Sequence, residues 1–297
     1  MIKMQKTKEI LKKVRTIEIK TNRLVEGLLQ GAYHSVFKGR GIEFSEVREY
    51  VPGDDIRTID WNVTARMNFP YIKEFIEERD LTIYIVLDVS ASNKFGYEET
   101  KKQKTIELSA SLMFSALKNN DNIGLCLFTD KVEKFIPPRK GKKHVLKLIR
   151  EMIQFTPESS LTEISSTLSY LSKIIKRKGI IFIISDFFAD KPFEKELRLL
   201  KNKHDVVAIN INDIRESEIP DIGYIELEDE ETGEQILVNT SNKFFRENYA
   251  KMSQEKDLNL KNLFKKLKID VIQLKTNEPF EINLRKFFKI RQNRMAR

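Results

Sequence analysis

Two runs of nearly continuous apolar residues constrain the fold of this chain most. Residues 81–87 (LTIYIVL) and 180–184 (IIFII) lack the strict alternation of polar and apolar positions that marks a half-exposed strand. Such runs are typical of strands that are buried on both faces inside a parallel sheet. Because each run is far shorter than the ~20 residues of a membrane-spanning helix, no membrane span is expected.

The segments around these runs alternate between strand and helix patterns. Helices are predicted at about 98–119, 142–154, 163–177, 192–202 and 241–267, with a short basic helix at the end of the chain. Further strands are predicted at 122–128, 206–211 and 269–274, with an antiparallel edge strand at 131–136 and a hairpin of 224–227 with 235–238. This alternation predicts an α/β fold with a doubly wound, mostly parallel, Rossmann-like sheet.

The first 80 residues have a different character. Residues 5–38 show apolar positions at helical spacing, whereas glycines, prolines and dense alternating charges in residues 39–80 predict irregular structure with short strands. We therefore divide the chain into an N-terminal helical and irregular extension, residues 1–80, and a sheet domain, residues 81–297.

The cysteine and histidine content limits which cross-links and metal sites the chain can form. The single cysteine, Cys126, excludes an internal disulfide framework, and three widely spaced histidines make a histidine-built metal site a poor hypothesis. Cys126 falls in a predicted strand and is expected to be a small buried hydrophobic residue. No GxxxxGK[ST] or GxGxxG phosphate loop is present. The N-terminus has no apolar core after its charges, so a soluble, cytoplasmic protein is expected.

Positive charge is concentrated at the two ends. Residues 1–40 contain ten Lys or Arg against three Glu, and residues 241–297 contain fifteen against six Asp or Glu, while the whole chain carries +9. Such ends would suit a nucleic acid or an anionic surface. Without interleaved aromatic residues, solvated lysine-rich helices are the simpler interpretation, and nucleic-acid binding is kept as an alternative.

Polar side chains follow both apolar runs. Asp88, Ser90 and Ser92 come directly after the first run, and Asp186 comes directly after the strand at 179–185. Because the carboxyl ends of parallel strands meet at one edge, neighbouring strands would bring the two carboxylates together, where they repel unless a cation is present. Thr162, in a loop at the same edge, offers a third hydroxyl. Two carboxylates and three hydroxyls suit Mg²⁺, or another divalent cation such as Mn²⁺ or Ca²⁺.

Simpler interpretations of these residues exist. The DxSxS segment at Asp88 also fits a loop with a helix-capping serine, and residues 160–163 (SLTE) match a capping box that would place Thr162 at a helix start. Asp186 also fits a turn. A metal-dependent hydrolase is a further alternative, because two aspartates and a cation can activate water. Position 90 is serine where the DxDx[TV] phosphatase pattern needs a second aspartate, so a non-enzymatic role is favoured.

The DxSxS motif, Thr162 and Asp186 together resemble the metal-ion-dependent adhesion site of von Willebrand factor A-like domains. The resemblance implies that Ser90, Ser92 and Thr162 contact the ion directly, that Asp88 and Asp186 supply charge partly through water, and that a partner's carboxylate completes the coordination. The chain departs from the common pattern at Asn93, where methionine is frequent, and at Phe187, where many such domains have glycine.

The block before the first run is more specific. Residues 39–61 (GRGIEFSEVREYVPGDDIRTIDW), with TAR at 64–66 and EER at 77–79, resemble the bacterial domain-of-unknown-function 58 family, which joins such a block to a von Willebrand A-like domain. This resemblance implies a metal-dependent protein-interaction module that acts with a MoxR-type AAA+ ATPase in chaperone-like assembly or activation of protein complexes. The ATPase or its client would supply an Asp or Glu carboxylate.

Charged and aromatic residues of this block have structural interpretations. Asp54, Asp55 and Asp60 are expected to lie in turns and to pair with nearby arginines, at positions 48, 57 and 66, rather than to form a second cation site. Trp61 is expected to be a packing anchor between the two regions.

Overall fold

A computed structural model describes residues 2–24, 42–77, 81–91, 101–189, 191–213, 216, 219–228 and 234–295. The strands are β1 (Ile42–Glu49), β2 (Tyr71–Glu77), β3 (Thr82–Asp88), β4 (Asn122–Phe128), β5 (Val132–Arg139), β6 (Ile180–Ser185), β7 (Asp205–Asn212), β8 (Tyr224–Glu228), β9 (Gln235–Asn239) and β10 (Asp270–Lys275). The helices are α1 (Ile2–Leu24), α2 (Trp61–Met67), α3 (Lys101–Lys118), α4 (Lys142–Gln154), α5 (Ile164–Ile174), α6 (Glu194–Lys203), α7 (Lys243–Leu267) and α8 (Phe280–Met295), and a 3-10 turn spans Ile56–Thr58.

The largest sheet in the described residues has the order β5-β4-β3-β6-β7-β10. Its strands are parallel except β5, which runs antiparallel to β4 at one edge and contains Pro137 and Pro138. Numbered by their appearance in this sheet, the strands follow the doubly wound order 3-2-1-4-5-6, which reverses direction between β3 and β6. The predicted α/β fold class is confirmed, including the antiparallel edge strand.

Helices on both faces explain the continuous apolar runs. In β3, Ile83 and Ile85 face a core that also contains residues of α3, α4 and α8, whereas Tyr84 and Val86 face a second core with residues of α5, α6 and α7. Every position of β3 after Thr82 is therefore buried. Because a fully buried aliphatic side chain contributes about 1.5–3 kcal/mol, both faces of the strand stabilise the fold.

The N-terminal helix packs against the sheet domain. Val14 of α1 is buried in the same core as β3, and the Lys20 ammonium lies 2.6 Å from a Glu107 carboxylate oxygen of α3. The predicted helix at 5–38 extends into residues 25–41, which lie outside the described residues, and the division at residue 80 stays a prediction. No helix within the described ranges is both long and apolar enough to cross a membrane.

The block that resembles the domain-of-unknown-function 58 family, here called the signature block, forms an antiparallel pair in its described residues, 42–77: β1 pairs with β2, and the 3-10 turn and α2 join them. Arg48 donates from both terminal guanidinium nitrogens to the two Asp54 oxygens at 2.8 Å each, and this pairing lowers the pKa of Asp54 to about 2. The predicted pairing of Asp54 with an arginine is confirmed. Asp55 instead caps the 3-10 turn, and Asp60 caps α2 by accepting from the backbone N–H groups of its first turn.

The structure contradicts the predictions for Trp61 and for the last helix. Trp61 is not a packing anchor, because its side chain is 70% exposed at the start of α2, a short helix that buries none of its residues. The last helix, α8, is not short: it spans sixteen residues, and Leu284 and Phe288 bury its inner face in the core beside β10.

Candidate functional site

Asp88 ends β3 at the point where the strand order reverses, and its side chain is 1% exposed. The Ser90 hydroxyl and backbone N–H donate to Asp88 Oδ1 at 2.7 and 3.0 Å. The Ser185 hydroxyl, at the end of neighbouring strand β6, donates to Asp88 Oδ2 at 2.7 Å. Both carboxylate oxygens are therefore held by serines, one in the loop after β3 and one at the end of β6.

Asp186 follows Ser185 at the same edge, as the parallel pairing of Leu87 with Ile184 requires. Its Oδ1 accepts a 3.1 Å hydrogen bond from the Phe188 backbone N–H. Between them, Phe187 adopts a left-handed backbone conformation with φ of 56°. This conformation is easy for glycine and costly for other residues, which gives a physical reason for the glycine common at this position in the related domains.

Packing holds Phe187 in that conformation. Its side chain is 6% exposed, and its ring centroid lies 5.1 Å from that of Phe264 in an edge-on arrangement. Its backbone N–H donates to the Ser185 hydroxyl at 2.9 Å. The aromatic contact and the hydrogen bond offset the backbone cost and fix the turn that carries Asp186.

The negative charge of Asp186 acts on the buried carboxylate of Asp88. Burial is the largest cause that raises the pKa of Asp88, to about 7, and the negative charge of Asp186 raises it further, against hydrogen bonds from Ser90 and Ser185. A buried carboxylate beside another negative charge is stabilised by a nearby cation. The edge of the sheet therefore favours positive charge.

The loop that carries Thr162 is tied to this edge. The Ala91 backbone N–H, next to Ser90, donates to the Ser160 carbonyl at 3.1 Å, and the Glu163 N–H donates to the Thr129 carbonyl at 3.1 Å. Thr162 is half-buried and is not a helix cap, because α5 begins with Glu163 as its N-cap and without a side-chain cap. The capping-box interpretation of Thr162 is therefore wrong.

The structure brings Asp88, Ser90 and Asp186 together, and it places the Thr162 loop against the first loop. Ser92 lies outside the described residues. Their roles as metal ligands stay predictions.

Sequence reasoning missed three residues at this edge: Ser185, Lys101 and Glu216. The Lys101 ammonium at the start of α3 lies 3.0 Å from Asp186 Oδ2 and also pairs with Glu216. Burial alone would lower the pKa of Lys101, but Asp186 and Glu216 raise it above its usual value. Ser185 had one usable signal, its position at the end of a buried strand directly before Asp186.

The donor chemistry at this edge fits a hard cation. The Ser90 hydroxyl donates a hydrogen bond to Asp88, and a hydroxyl oxygen that donates can also act as a ligand. Carboxylate and hydroxyl oxygens are the ligands that Mg²⁺ prefers. Within the part of the chain that the structure describes, no cluster of three or more His, Cys, Asp or Glu side chains could hold a metal. An ion here would depend on hydroxyls and water as well as on the two aspartates.

Comparisons with known proteins agree with the signature block. "Uncharacterized protein Rv1480" of Mycobacterium tuberculosis strain H37Rv is 32% identical over 224 residues, which cover 74% of this chain and 70% of the relative. "Uncharacterized protein YeaD" of Bacillus subtilis strain 168 is 28% identical over 108 residues, which cover 36% of this chain and 25% of that protein.

Solved structures show partial similarity. The conserved hypothetical protein BatB from Bacteroides thetaiotaomicron has a TM-score of 0.45 at 14% identity, over 73% of this chain and 98% of that chain. Proximal thread matrix protein 1 from the mussel byssus, with a zinc-occupied MIDAS motif, has a TM-score of 0.36 at 19% identity, over 45% and 38%. Residues 46–258 match the family model described as "Protein of unknown function DUF58". Because this match covers most of the chain, the protein belongs to the DUF58 family.

Proposed function

We propose that this protein is a non-enzymatic, metal-dependent protein-interaction module of the cytoplasm. The observation that carries the proposal is the meeting of Asp88, Ser90 and Asp186 at the reversal point of the sheet, the place where open α/β sheets bind their ligands. The repulsion between the two aspartates gives this edge a reason to take up a divalent cation.

Each side chain has a role in this proposal. Ser90, Ser92 and Thr162 would hold the ion with their hydroxyl oxygens, and Asp88 and Asp186 would supply compensating charge and orient water. When bound, Mg²⁺ supplies an open coordination position for a carboxylate oxygen of a partner. The aspartates are already engaged, Asp88 by two serines and Asp186 by Lys101, which favours fixed binding groups over a carboxylate free to move protons.

The family resemblance extends the proposal to a partner. We infer that the partner is a MoxR-type AAA+ ATPase, or a client that such an ATPase remodels, and that it presents an Asp or Glu to this edge. The module would then contribute to the assembly or activation of protein complexes in a chaperone-like way. This partner rests on analogy within the family.

A binding experiment tests the proposal. The purified chain is immobilised, and a MoxR-type ATPase from the same genome is titrated by interferometry in Mg²⁺ and then in chelator. We expect binding in Mg²⁺ and a loss of about tenfold or more in affinity, about 1.4 kcal/mol or more, with chelator or with Ser90→Ala. Ser172→Ala is the matched control, because its hydroxyl only donates to the Leu168 carbonyl within α5.

Two results would contradict parts of the proposal. Equal affinity with and without chelator would exclude a metal-bridged contact. The absence of any binding in Mg²⁺ would exclude the ATPase as the direct partner.

A further inference from the structure

A buried lysine lies beside the candidate metal site. Lys101 is 1% exposed and is among the largest fully buried side chains of the described residues. A buried ammonium is costly unless it is paired, and this one is paired by two carboxylates, Asp186 and Glu216. The site therefore already contains a positive charge that is part of the protein.

Apart from its pair with Lys101, Glu216 is held in place by contacts other than those that hold Asp88 and Asp186. Its Oε1 pairs with Lys101, while its Oε2 accepts a 3.1 Å hydrogen bond from the Asp213 backbone N–H, just after β7. Asp213 is itself buried, and its Oδ2 accepts from the Thr276 hydroxyl at 2.7 Å after β10. Glu216 is thus a carboxylate that is held by the segment after β7, separately from Asp88 and Asp186.

The charges at this edge suit one divalent ion. When Asp88 is ionised, Asp88, Asp186 and Glu216 supply three formal negative charges against one ammonium, which leaves two negative charges. An ion near Asp186 would repel Lys101, whose Nζ lies 3.0 Å from Asp186 Oδ2. Glu216 offers the ammonium a second partner, so Lys101 need not become an unpaired buried charge when the ion binds.

We propose that Lys101 is an internal counter-ion that competes with the divalent cation for Asp186, and that Glu216 retains the ammonium when the cation binds. This inference rests on the metal site of the proposed function and names what sets its affinity. Removing Lys101 makes the site bind the ion more tightly. Removing the Glu216 charge weakens binding of the cation. Of the two carboxylates that pair with Lys101, Asp186 is then the one that is left, and the cation must compete with the ammonium for it.

Lys104 provides a matched control on the same helix. It is also buried, at 6% exposure, but its ammonium donates to the Thr276 carbonyl at 2.9 Å. Lys104→Met therefore removes a buried ammonium one turn away from Lys101 without breaking the pair with Asp186.

The experiment is a calorimetric titration of the purified full chain with MnCl₂, without any partner protein. We expect Lys101→Met to bind Mn²⁺ about tenfold more tightly than the unmodified chain and Glu216→Gln to bind about fivefold more weakly, whereas Lys104→Met stays within about twofold. Lys101→Gln, which keeps a hydrogen-bond donor, is the second variant if Lys101→Met does not fold.

The double variant separates the proposed mechanism from a simple change of net charge. If Glu216 acts by retaining Lys101, Glu216→Gln has a much smaller effect in the Lys101→Met background than alone. Equal Mn²⁺ affinity of Lys101→Met and the unmodified chain, no binding by either Lys101 variant, or strictly additive effects would overturn the proposal. Chelator-insensitive binding of the ATPase, by contrast, would refute the proposed function while leaving these affinities unaffected.

Discussion

Ser185 provides a direct test of how the structure holds Asp88. Its hydroxyl donates to Asp88 Oδ2 at 2.7 Å and accepts from the Phe187 N–H at 2.9 Å, and the residue is 3% exposed. Ser185→Ala removes both contacts and leaves a buried carboxylate oxygen and a backbone N–H short of a partner. Since a hydrogen bond to a charged group contributes about 1.5–3 kcal/mol, and an unsatisfied buried group costs about 1–3 kcal/mol, we expect a loss of about 3 kcal/mol.

Urea denaturation of the chain in chelator measures this loss without a contribution from bound metal. For a chain of this size, about 3 kcal/mol corresponds to a melting temperature lower by roughly 5–7 °C. Ser172→Ala, whose hydroxyl bonds only within its own helix, should change the free energy of unfolding by less than about 0.5 kcal/mol. If Ser185→Ala were as stable as that control, Ser185 would not be a support of Asp88 and the described geometry would be wrong.

Three further predictions follow from other parts of the structure. Phe187→Ala should lower the free energy of unfolding by about 3–5 kcal/mol, because it removes the packing on Phe264. Phe187→Gly should be about 1 kcal/mol more stable than the alanine variant, because the backbone at this position is left-handed. The reverse order of stability in urea denaturation would contradict that conformation. Asp54→Asn should destabilise the protein at neutral pH. The difference in free energy of unfolding between the variant and the unmodified chain should disappear as pH falls from about 4 to about 2, because Arg48 lowers the pKa of Asp54 and the stabilising charge is lost on protonation. A difference that does not depend on pH would exclude this cause. Burial raises the pKa of the Cys126 thiol to about 12, so thiol reagents should modify it only after unfolding, and rapid labelling of the native chain would count against its buried position.

Much of this fold could be predicted because strands buried on both faces leave a pattern in the sequence. The runs at residues 81–87 and 180–184 determine where β3 and β6 end, and that in turn places Asp88 and Asp186 at the same edge. Parallel pairing of neighbouring strands then brings the two side chains together without any further information from the sequence.

The missed features depend on contacts between distant segments. Lys101 lies among other lysines at the start of a helix and has the sequence environment of a solvated lysine. In the structure it is buried and pairs with Asp186 and Glu216, which lie 85 and 115 positions further along the chain. Trp61 is the opposite case. A large aromatic residue predicts burial, but α2 buries none of its residues and provides no core for the ring. Tertiary packing, rather than local pattern, decides both cases.

The two consecutive prolines in β5 restrict how another protein can approach this sheet. Proline has no N–H to donate, and consecutive residues of a strand direct their N–H groups to opposite sides, so Pro137 and Pro138 together remove no more than one donor from the open side of β5. This makes the addition of a strand from a second chain at the β5 edge less favourable, which also lowers the risk of aggregation through that edge. A visiting protein gains more by docking end-on, at the loops, than by lying alongside β5.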